Sequence, residues 1–310
     1  MDRYVSVCIP AFNRGYCIGR MLDSIIHQTY KNLHIYVCDN ASNDNTKQVV
    51  KAFNDPRIKY IYFDEYLDVN YSFIRSMKCA EDEIICLFHS DDWYHPDIIE
   101  KYLNYIEDES VGAVFSKMRF RREGDSASIP PRDEPPNIIV YDYETYLNQA
   151  LMEGTIFQCP TFMTKKSVLN KTGILNTNSM MISDMSFWLP IMRKYKCLVI
   201  NVPLMDYILS DDQLSLRIKS APVHTIMPEY LLLDAEIKYA KKMNVKIMPD
   251  ALDKYKSRKK KSLIHLKDSH PSLILKWKYT IIALTNLSIS LKSLGLDEKR
   301  YLDILYGRES

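Results

Sequence analysis

Two adjacent carboxylates, Asp91 and Asp92, stand in the stretch His89-Ser90-Asp91-Asp92-Trp93, directly after the apolar run Ile84-Ile85-Cys86-Leu87-Phe88. The run reads as a buried strand, and Pro96 suits the first turn of a helix that follows. Open α/β sheets take their ligands at the carboxyl ends of strands, where this pair would lie. Side by side, two ionised carboxylates repel. A divalent cation carried with a phosphate-bearing substrate removes that repulsion. The same residues also suit a helix N-cap with one spare acid, so the pair alone leaves both readings open.

The elements that must position the pair are legible upstream. Val5 to Ile9 is an apolar strand, stopped by Pro10. Ile18, Met21, Leu22, Ile25 and Ile26 recur at helical spacing over residues 18–27. Leu33 to Cys38 and Ile58 to Phe63 read as the next strands, and Ile84 to Phe88 as the fourth. Asp44 opens a helix over 45–53, and a third helix covers 73–80. This β-α-β-α-β-α-β order implies a parallel sheet with right-handed crossovers. Asn13, Asp39 and the Asp91-Asp92 pair then gather on one sheet edge. Ile98, Ile99, Tyr102, Leu103 and Ile106 form an amphipathic helix, and Val111 to Phe115 another strand. Residues 121–138 hold four prolines and read as a long functional or disordered loop. Residues 143–152 and 184–195 read as helices, the second interrupted by Pro190.

Composition narrows the class. The chain of 310 residues is 46% hydrophobic and 26% charged, with a net charge of +2. These values suit a globular protein with no global attraction to nucleic acid. Of the seven cysteines, Cys8, Cys38 and Cys86 sit in apolar strand-like runs and read as core residues in a reducing cytoplasm. No apolar run approaches the ~18 residues needed to cross a bilayer. The start reads as a strand rather than a signal peptide, so membrane contact would be peripheral, on the inner face of the cell membrane. No glycine-rich phosphate loop, G-x-G-x-x-G or H-E-x-x-H occurs, and the histidines are scattered.

Four segments in register carry a family resemblance: Ser6-Val7-Cys8-Ile9-Pro10-Ala11-Phe12-Asn13, Val37-Cys38-Asp39-Asn40-Ala41-Ser42-Asn43-Asp44, His89-Ser90-Asp91-Asp92, and Ser183-Asp184-Met185-Ser186-Phe187-Trp188. Together they resemble the family 2 glycosyltransferases of the GT-A fold, over about residues 4–216. The resemblance implies an α/β architecture, a mostly parallel sheet flanked by helices, with a helical C-terminal extension. It divides the chain into a glycosyltransferase domain over 1–220 and an extension over 221–310. Within the domain, 1–118 is the nucleotide-sugar-binding half and 119–220 the acceptor half.

By the same resemblance the chain is an inverting enzyme of the hexosyl- or N-acetylhexosaminyl-transferase class. Its donor is a nucleotide-sugar, a UDP-sugar, and its acceptor a glycan or lipid-linked saccharide. Asp39 accepts a hydrogen bond from the base, a role suited to an ionised carboxylate, although an Asx turn accounts for it equally well. Pro10, Ala11, Phe12, Asn13 and Arg14 form the loop beside the base, with Asn13 and Arg14 either shaping the turn or, for Arg14, reaching phosphate. Ser90 and Asp91 contact the nucleotide-sugar, and Asp91 and Asp92 hold Mn²⁺ or Mg²⁺. Asp184 matches the general base, or else serves as a helix N-cap.

The chain departs from the family pattern in five places, one of them Ser183, where a Glu commonly precedes the matching aspartate. His89 stands where the first acid is usual, and Asp68 where a glycine is frequent. The usual Arg-Asn pair falls on Phe73 and Ile74, with Arg75 close enough to substitute. Ser210 takes a histidine position, with Asp211 beside it.

Residues 251–280 carry nine Lys and Arg against two Asp, among Leu263, Ile264, Leu266 and Trp277. Over 251–282 this mixture suits an anionic membrane surface, and a solvated basic helix face accounts for it as well. Two rivals to the transferase reading remain. A sugar-phosphate nucleotidyltransferase needs a glycine-rich basic loop after the first strand, which Pro10-Ala11-Phe12-Asn13-Arg14-Gly15 matches poorly. A catalytically degenerate binder of nucleotide-sugars fits Ser183 and Ser210.

Overall fold

The structure is a computed structural model that describes residues 3–122, 137–176, 184–209 and 222–269. Two compact units emerge. The first comprises Met1–Tyr146 with Thr155–Ser210, the second Leu147–Gly154 with Asp211–Ser310. Residues 147–154 thus group with the C-terminal unit.

The first unit opens with parallel strands β1 (Val5–Ala11), β2 (Leu33–Asn40), β3 (Ile58–Phe63) and β4 (Ile84–Leu87). Helices α1 (Ile18–Ile26), α2 (Thr46–Ala52) and α3 (Val69–Lys78) connect them. The apolar stripe of α1 (Ile18, Met21, Leu22, Ile25) is wholly buried, the expected result of its helical spacing. Strand β1 runs two residues past the expected stop. Pro10 sits in register with Cys38 of β2. The Phe88 amide donates to the Cys8 carbonyl on the β4 side. Pro10 faces that same side one repeat later, beyond the end of β4, so its missing N–H costs no ladder bond.

The rest of the sheet contains β5 (Trp93–Tyr94), β6 (Val111–Arg122), β7 (Ile138–Tyr141), β8 (Phe162–Lys165) and β9 (Lys196–Leu209). Among the described residues these make one nine-stranded sheet, ordered β3-β2-β1-β4-β8-β6-β9-β5, with β7 also on β9. Strand β8 lies antiparallel to both β4 and β6, while β6 and β9 are parallel. The sheet is parallel in its first half and mixed in its second. Helices α4 (Ile98–Ile106), α5 (Tyr143–Glu153), α6 (Lys166–Thr172) and α7 (Met185–Met192) complete the connections.

Helix α7 runs through Pro190 rather than breaking there. Its Phe187, Trp188, Leu189 and Ile191 are all buried, and that packing offsets the lost backbone bond. Trp188 also donates its indole N–H to the Tyr146 hydroxyl at 2.6 Å. Its ring packs edge-on against Phe115.

The second unit, by itself, pairs α8 (Pro222–Lys242) with α9 (Pro249–Ser269). The Tyr255 hydroxyl donates to Asp234 at 2.7 Å, and Arg258 pairs with Glu229 at 3.2 Å. Asn148 accepts the Met248 amide and donates to the Lys246 carbonyl, tying residues 147–154 to this unit. No helix among the described residues is long and apolar enough to cross a membrane. The expected irregular loop lies outside the described residues over 123–136. So do Ser183, Ser210, Asp211 and Trp277.

Candidate active site

The loops after β1 and β2 are laced together at the carboxyl edge of the sheet. Asn13 adopts the left-handed region (φ 52°), which Asn tolerates better than most residues. Its amide donates to the Ser42 hydroxyl at 2.8 Å, and its side-chain oxygen accepts the Asn43 amide at 2.9 Å. The Arg14 amide donates to Thr46 Oγ1. The Gly15 amide donates to Asp44 at 2.9 Å, and a Cβ at Gly15 would lie 1.9 Å from Asn45 Oδ1. Gly15 therefore serves a close loop approach. Pro10 and Ala11 are buried strand residues, and Phe12 is exposed, packing on Tyr66 with ring centroids 4.9 Å apart.

Asp39, one residue before the end of β2, is fully buried. Its Oδ1 accepts the Ser42 amide at 2.8 Å and its Oδ2 the Tyr60 hydroxyl at 2.5 Å. The Asx turn is present, and each carboxylate oxygen retains a second lone pair. A cavity of about 210 Å³ opens beside it, lined by Asp39, Ser42, Asp44, Lys47, Tyr60 and Tyr62 among others. Tyr60 was not among the residues singled out from sequence. It comes from β3, one strand away, and nothing in its local pattern marks it.

Asp91 and Asp92 follow β4 as expected. The Arg14 guanidinium lies 3.6 Å from the Asp91 carboxylate, which joins the β1 loop to the acid pair. Arg20 donates to the Asp91 carbonyl at 2.9 Å, and Ser90 is buried below it. Asp92 is fully buried, with Oδ1 accepting the Ile208 amide of β9 at 3.2 Å. Its Oδ2 is buried with no hydrogen-bond partner. Burial, with Asp91 adding repulsion, holds the Asp92 carboxyl well above the usual range, against the pull of the Ile208 amide, Arg20 and Arg14. The Nε2 of His89 is likewise buried and unpartnered. Burial pushes the His89 imidazole down to about 4, with Asp91 opposing.

Ligand atoms of His89, Asp91 and Asp92 all lie within 4.8 Å of one another. Orphaned buried atoms on two of three clustered metal-ligating side chains fit a bound cation, which would satisfy them together. Arg75, by contrast, is committed elsewhere. It donates to the Asn40 side chain and to the Glu65 carbonyl, and stacks on Phe63. These contacts brace the end of β2, away from the acid pair.

Asp184 stands at the N-cap position of α7 but makes no side-chain capping bond. Asp184 is exposed at the surface, and desolvation by the nearby protein still pushes its carboxyl up to about 6. Two routes connect it to the acid pair. Phe187 of α7 packs on Phe73 (6.0 Å), which packs on the His89 ring (5.0 Å). The His89 amide also donates to the Tyr94 hydroxyl, which donates to the Pro160 carbonyl, beside the Cys159 whose thiol feels Asp184.

The chain is similar to known proteins in sequence and in fold. A UDP-Glc:alpha-D-GlcNAc-diphosphoundecaprenol beta-1,3-glucosyltransferase of Escherichia coli, WfaP, is 28% identical over 192 residues, covering 61% of this chain and 70% of its own. The crystal structure of S. aureus TarS 1-349 in complex with UDP-GlcNAc superposes with a TM-score of 0.58 at 17% identity, covering 87% of this chain and 74% of that one. The mannosyltransferase PcManGT from Pyrobaculum calidifontis, in complex with GDP-Man and Mn2+, superposes with a TM-score of 0.53 at 18% identity, covering 99% and 88%. The GT-A fold expected from the sequence is thus the fold observed. The model of "Glycosyl transferase family 2" matches residues 6–173, more than half of the chain and the span that holds the laced loops, Asp39 and the acid pair. The chain belongs to glycosyl transferase family 2 and is a glycosyltransferase.

Proposed function

We propose that this glycosyltransferase is inverting and divalent-metal-dependent, and that it moves a sugar from a UDP-sugar to a lipid-linked saccharide. The observation that carries the reading is the cluster of Asp91, Asp92 and His89 with its orphaned buried atoms, one loop away from a carboxylate, Asp39, beside an open cavity. Asp39 takes the N3–H of the base, and Tyr60 and the Ser42 amide hold its carboxylate in place. Asp91 and Asp92 would hold Mn²⁺ or Mg²⁺, which would supply positive charge to offset that of the leaving diphosphate. Arg14, beside Asp91, lies within reach of the same phosphates. Asp184 stands apart from the acid pair on its own helix and takes the proton of the acceptor hydroxyl as it attacks. A base opposite the leaving group is what inversion requires. The lipid-linked acceptor rests on the name of the E. coli relative, which acts on a diphosphoundecaprenol-linked sugar.

A panel of nucleotide-sugars, each with and without Mn²⁺, tests the donor by thermal stabilisation. UDP-sugars with Mn²⁺ should raise Tm more than either component alone. Stabilisation by GDP-sugars only would overturn the donor assignment. Metal-dependent UDP binding with no transfer to any acceptor would favour the degenerate binder.

Asp39→Asn should weaken UDP binding by about 10- to 100-fold, the range for loss of one hydrogen bond to a charged group. Tyr60→Phe should weaken it less, since it removes only a support of that carboxylate. Calorimetry showing wild-type affinity in Asp39→Asn would reject the base-reading role.

The basic segment over 251–282 docks the enzyme peripherally on an anionic membrane surface. Within α9, Lys259 pairs with Asp234 and Arg258 with Glu229, so neither presents a free charge. Lys254, Lys260 and Lys261 are exposed. Exchanging these three for Gln should cut binding to anionic vesicles, by about 1 kcal/mol per residue near the surface and most at low salt. Equal vesicle binding by the triple variant would leave α9 as a solvated basic face.

A further inference from the structure

We infer that His89 ligates the catalytic cation through an imidazole nitrogen, so that the protein offers one nitrogen and two carboxylates rather than an all-carboxylate set. The inference rests on the metal-dependent reading above and goes beyond it to the identity of the ligands and the choice of ion. Three observations converge. Ligand atoms of His89, Asp91 and Asp92 share a sphere in which no two are more than 4.8 Å apart. The His89 Nε2 is buried and has no hydrogen-bond partner, and the same holds for Asp92 Oδ2. The imidazole is also held in place: its ring packs on Phe73 at 5.0 Å, and its backbone amide donates to Tyr94 Oη at 2.7 Å.

A buried polar atom without a partner is costly, and this fold carries two in one cluster. A ribose hydroxyl reaching His89 would satisfy the imidazole and leave Asp92 Oδ2 unpaired among like charges. One cation satisfies both atoms and offsets the repulsion between Asp91 and Asp92. Packing against Phe73 alone accounts for the ring and leaves both polar atoms unexplained. Neutral imidazole is a common metal ligand, and its nitrogen lone pair favours first-row transition ions over Mg²⁺, strongly for Zn²⁺ or Co²⁺ and least for Mn²⁺. Mg²⁺ takes oxygen ligands and dehydrates reluctantly. The exchange of an acid for His89 therefore biases this enzyme toward a transition metal.

Pulsed electron paramagnetic resonance of the Mn²⁺·UDP complex of the full chain provides the test, with metal affinities measured alongside. The wild type should show coupling of Mn²⁺ to a directly bound nitrogen, and labelling the protein with ¹⁵N-histidine should change the coupling frequency without any substitution. His89→Asp should still bind Mn²⁺·UDP, lose the nitrogen coupling, and lower the preference for Mn²⁺ over Mg²⁺ by about 10-fold or more, the scale seen when even an outer-shell partner of a metal ligand is lost. Mn²⁺ bound with UDP but showing no nitrogen coupling would overturn the inference and leave the metal-dependent reading standing. Nitrogen coupling that survives in His89→Asp, or that ignores ¹⁵N-histidine, would overturn it as well. Failure of the wild type to bind Mn²⁺ in the presence of UDP would overturn both.

Discussion

Asp184→Asn is expected to lower sugar transfer by about 10²- to 10⁴-fold, the usual contribution of a general base, or roughly 3–5 kcal/mol of barrier. UDP binding and thermal stability should stay near wild type. Asp184 makes no capping hydrogen bond that the amide would forfeit, and the exchange conserves size. No histidine lies between His95 and His224 to share the duty. The pH profile separates this role from a structural one. Crowding by protein pushes the Asp184 carboxyl up to about 6, and the base works only when ionised. Activity of the wild type should therefore hold above that value and fall as the pH drops through about 6. Asp184→Asn should lose that acid limb along with the rate. A variant that transfers at near wild-type rate, or that keeps the limb, would remove Asp184 from the chemistry.

The second large effect is expected at Asp92. Asp92→Asn should abolish the stabilisation that Mn²⁺ and UDP produce together, because an amide carries no charge for the ion. The free protein should be no less stable than wild type. The amide oxygen can still accept the Ile208 N–H, which Asp92 Oδ1 takes at 3.2 Å, and the exchange removes a buried charge whose other oxygen has no partner. Asp92→Ala would instead remove both the charge and the oxygen that accepts the Ile208 amide, so Asp92→Asn is the cleaner variant. Calorimetry with UDP and Mn²⁺ on Asp92→Asn decides the matter. Unchanged affinity would take the metal away from the acid pair. The same variant with normal Mn²⁺·UDP binding but no transfer would place Asp92 in a later step.

Much of the first half of the chain was legible because its signals are local. Buried parallel strands read as short apolar runs, and α1 and α4 carry apolar residues at a period that neighbours within one turn reveal. The position of Asp39 and of the Asp91-Asp92 pair follows directly, since each trails such a run. Helix α3 begins at Val69, four residues before the apolar stretch suggested, because Val69 and Asn70 contribute to the turn without contributing to its buried stripe. Strands β5, β7 and β8 are two to four residues long and antiparallel to their partners, too short to leave a periodic signature.

By itself the sequence determined the α/β class, the order of the leading elements, the family, and which strand ends carry acids. Those properties depend on residues close together in the chain. Only the tertiary structure decided what those acids meet. Arg14 reaches Asp91 across 77 positions, Ile208 reaches Asp92 across 116, and the Tyr60 hydroxyl settles on Asp39 from the next strand. It also decided that Arg75 braces β2, and that His89 keeps an unpaired nitrogen beside two carboxylates. Hydrogen bonds and ion pairs between distant segments impose no period on either one, so they become visible only when the sheet brings its strand ends together.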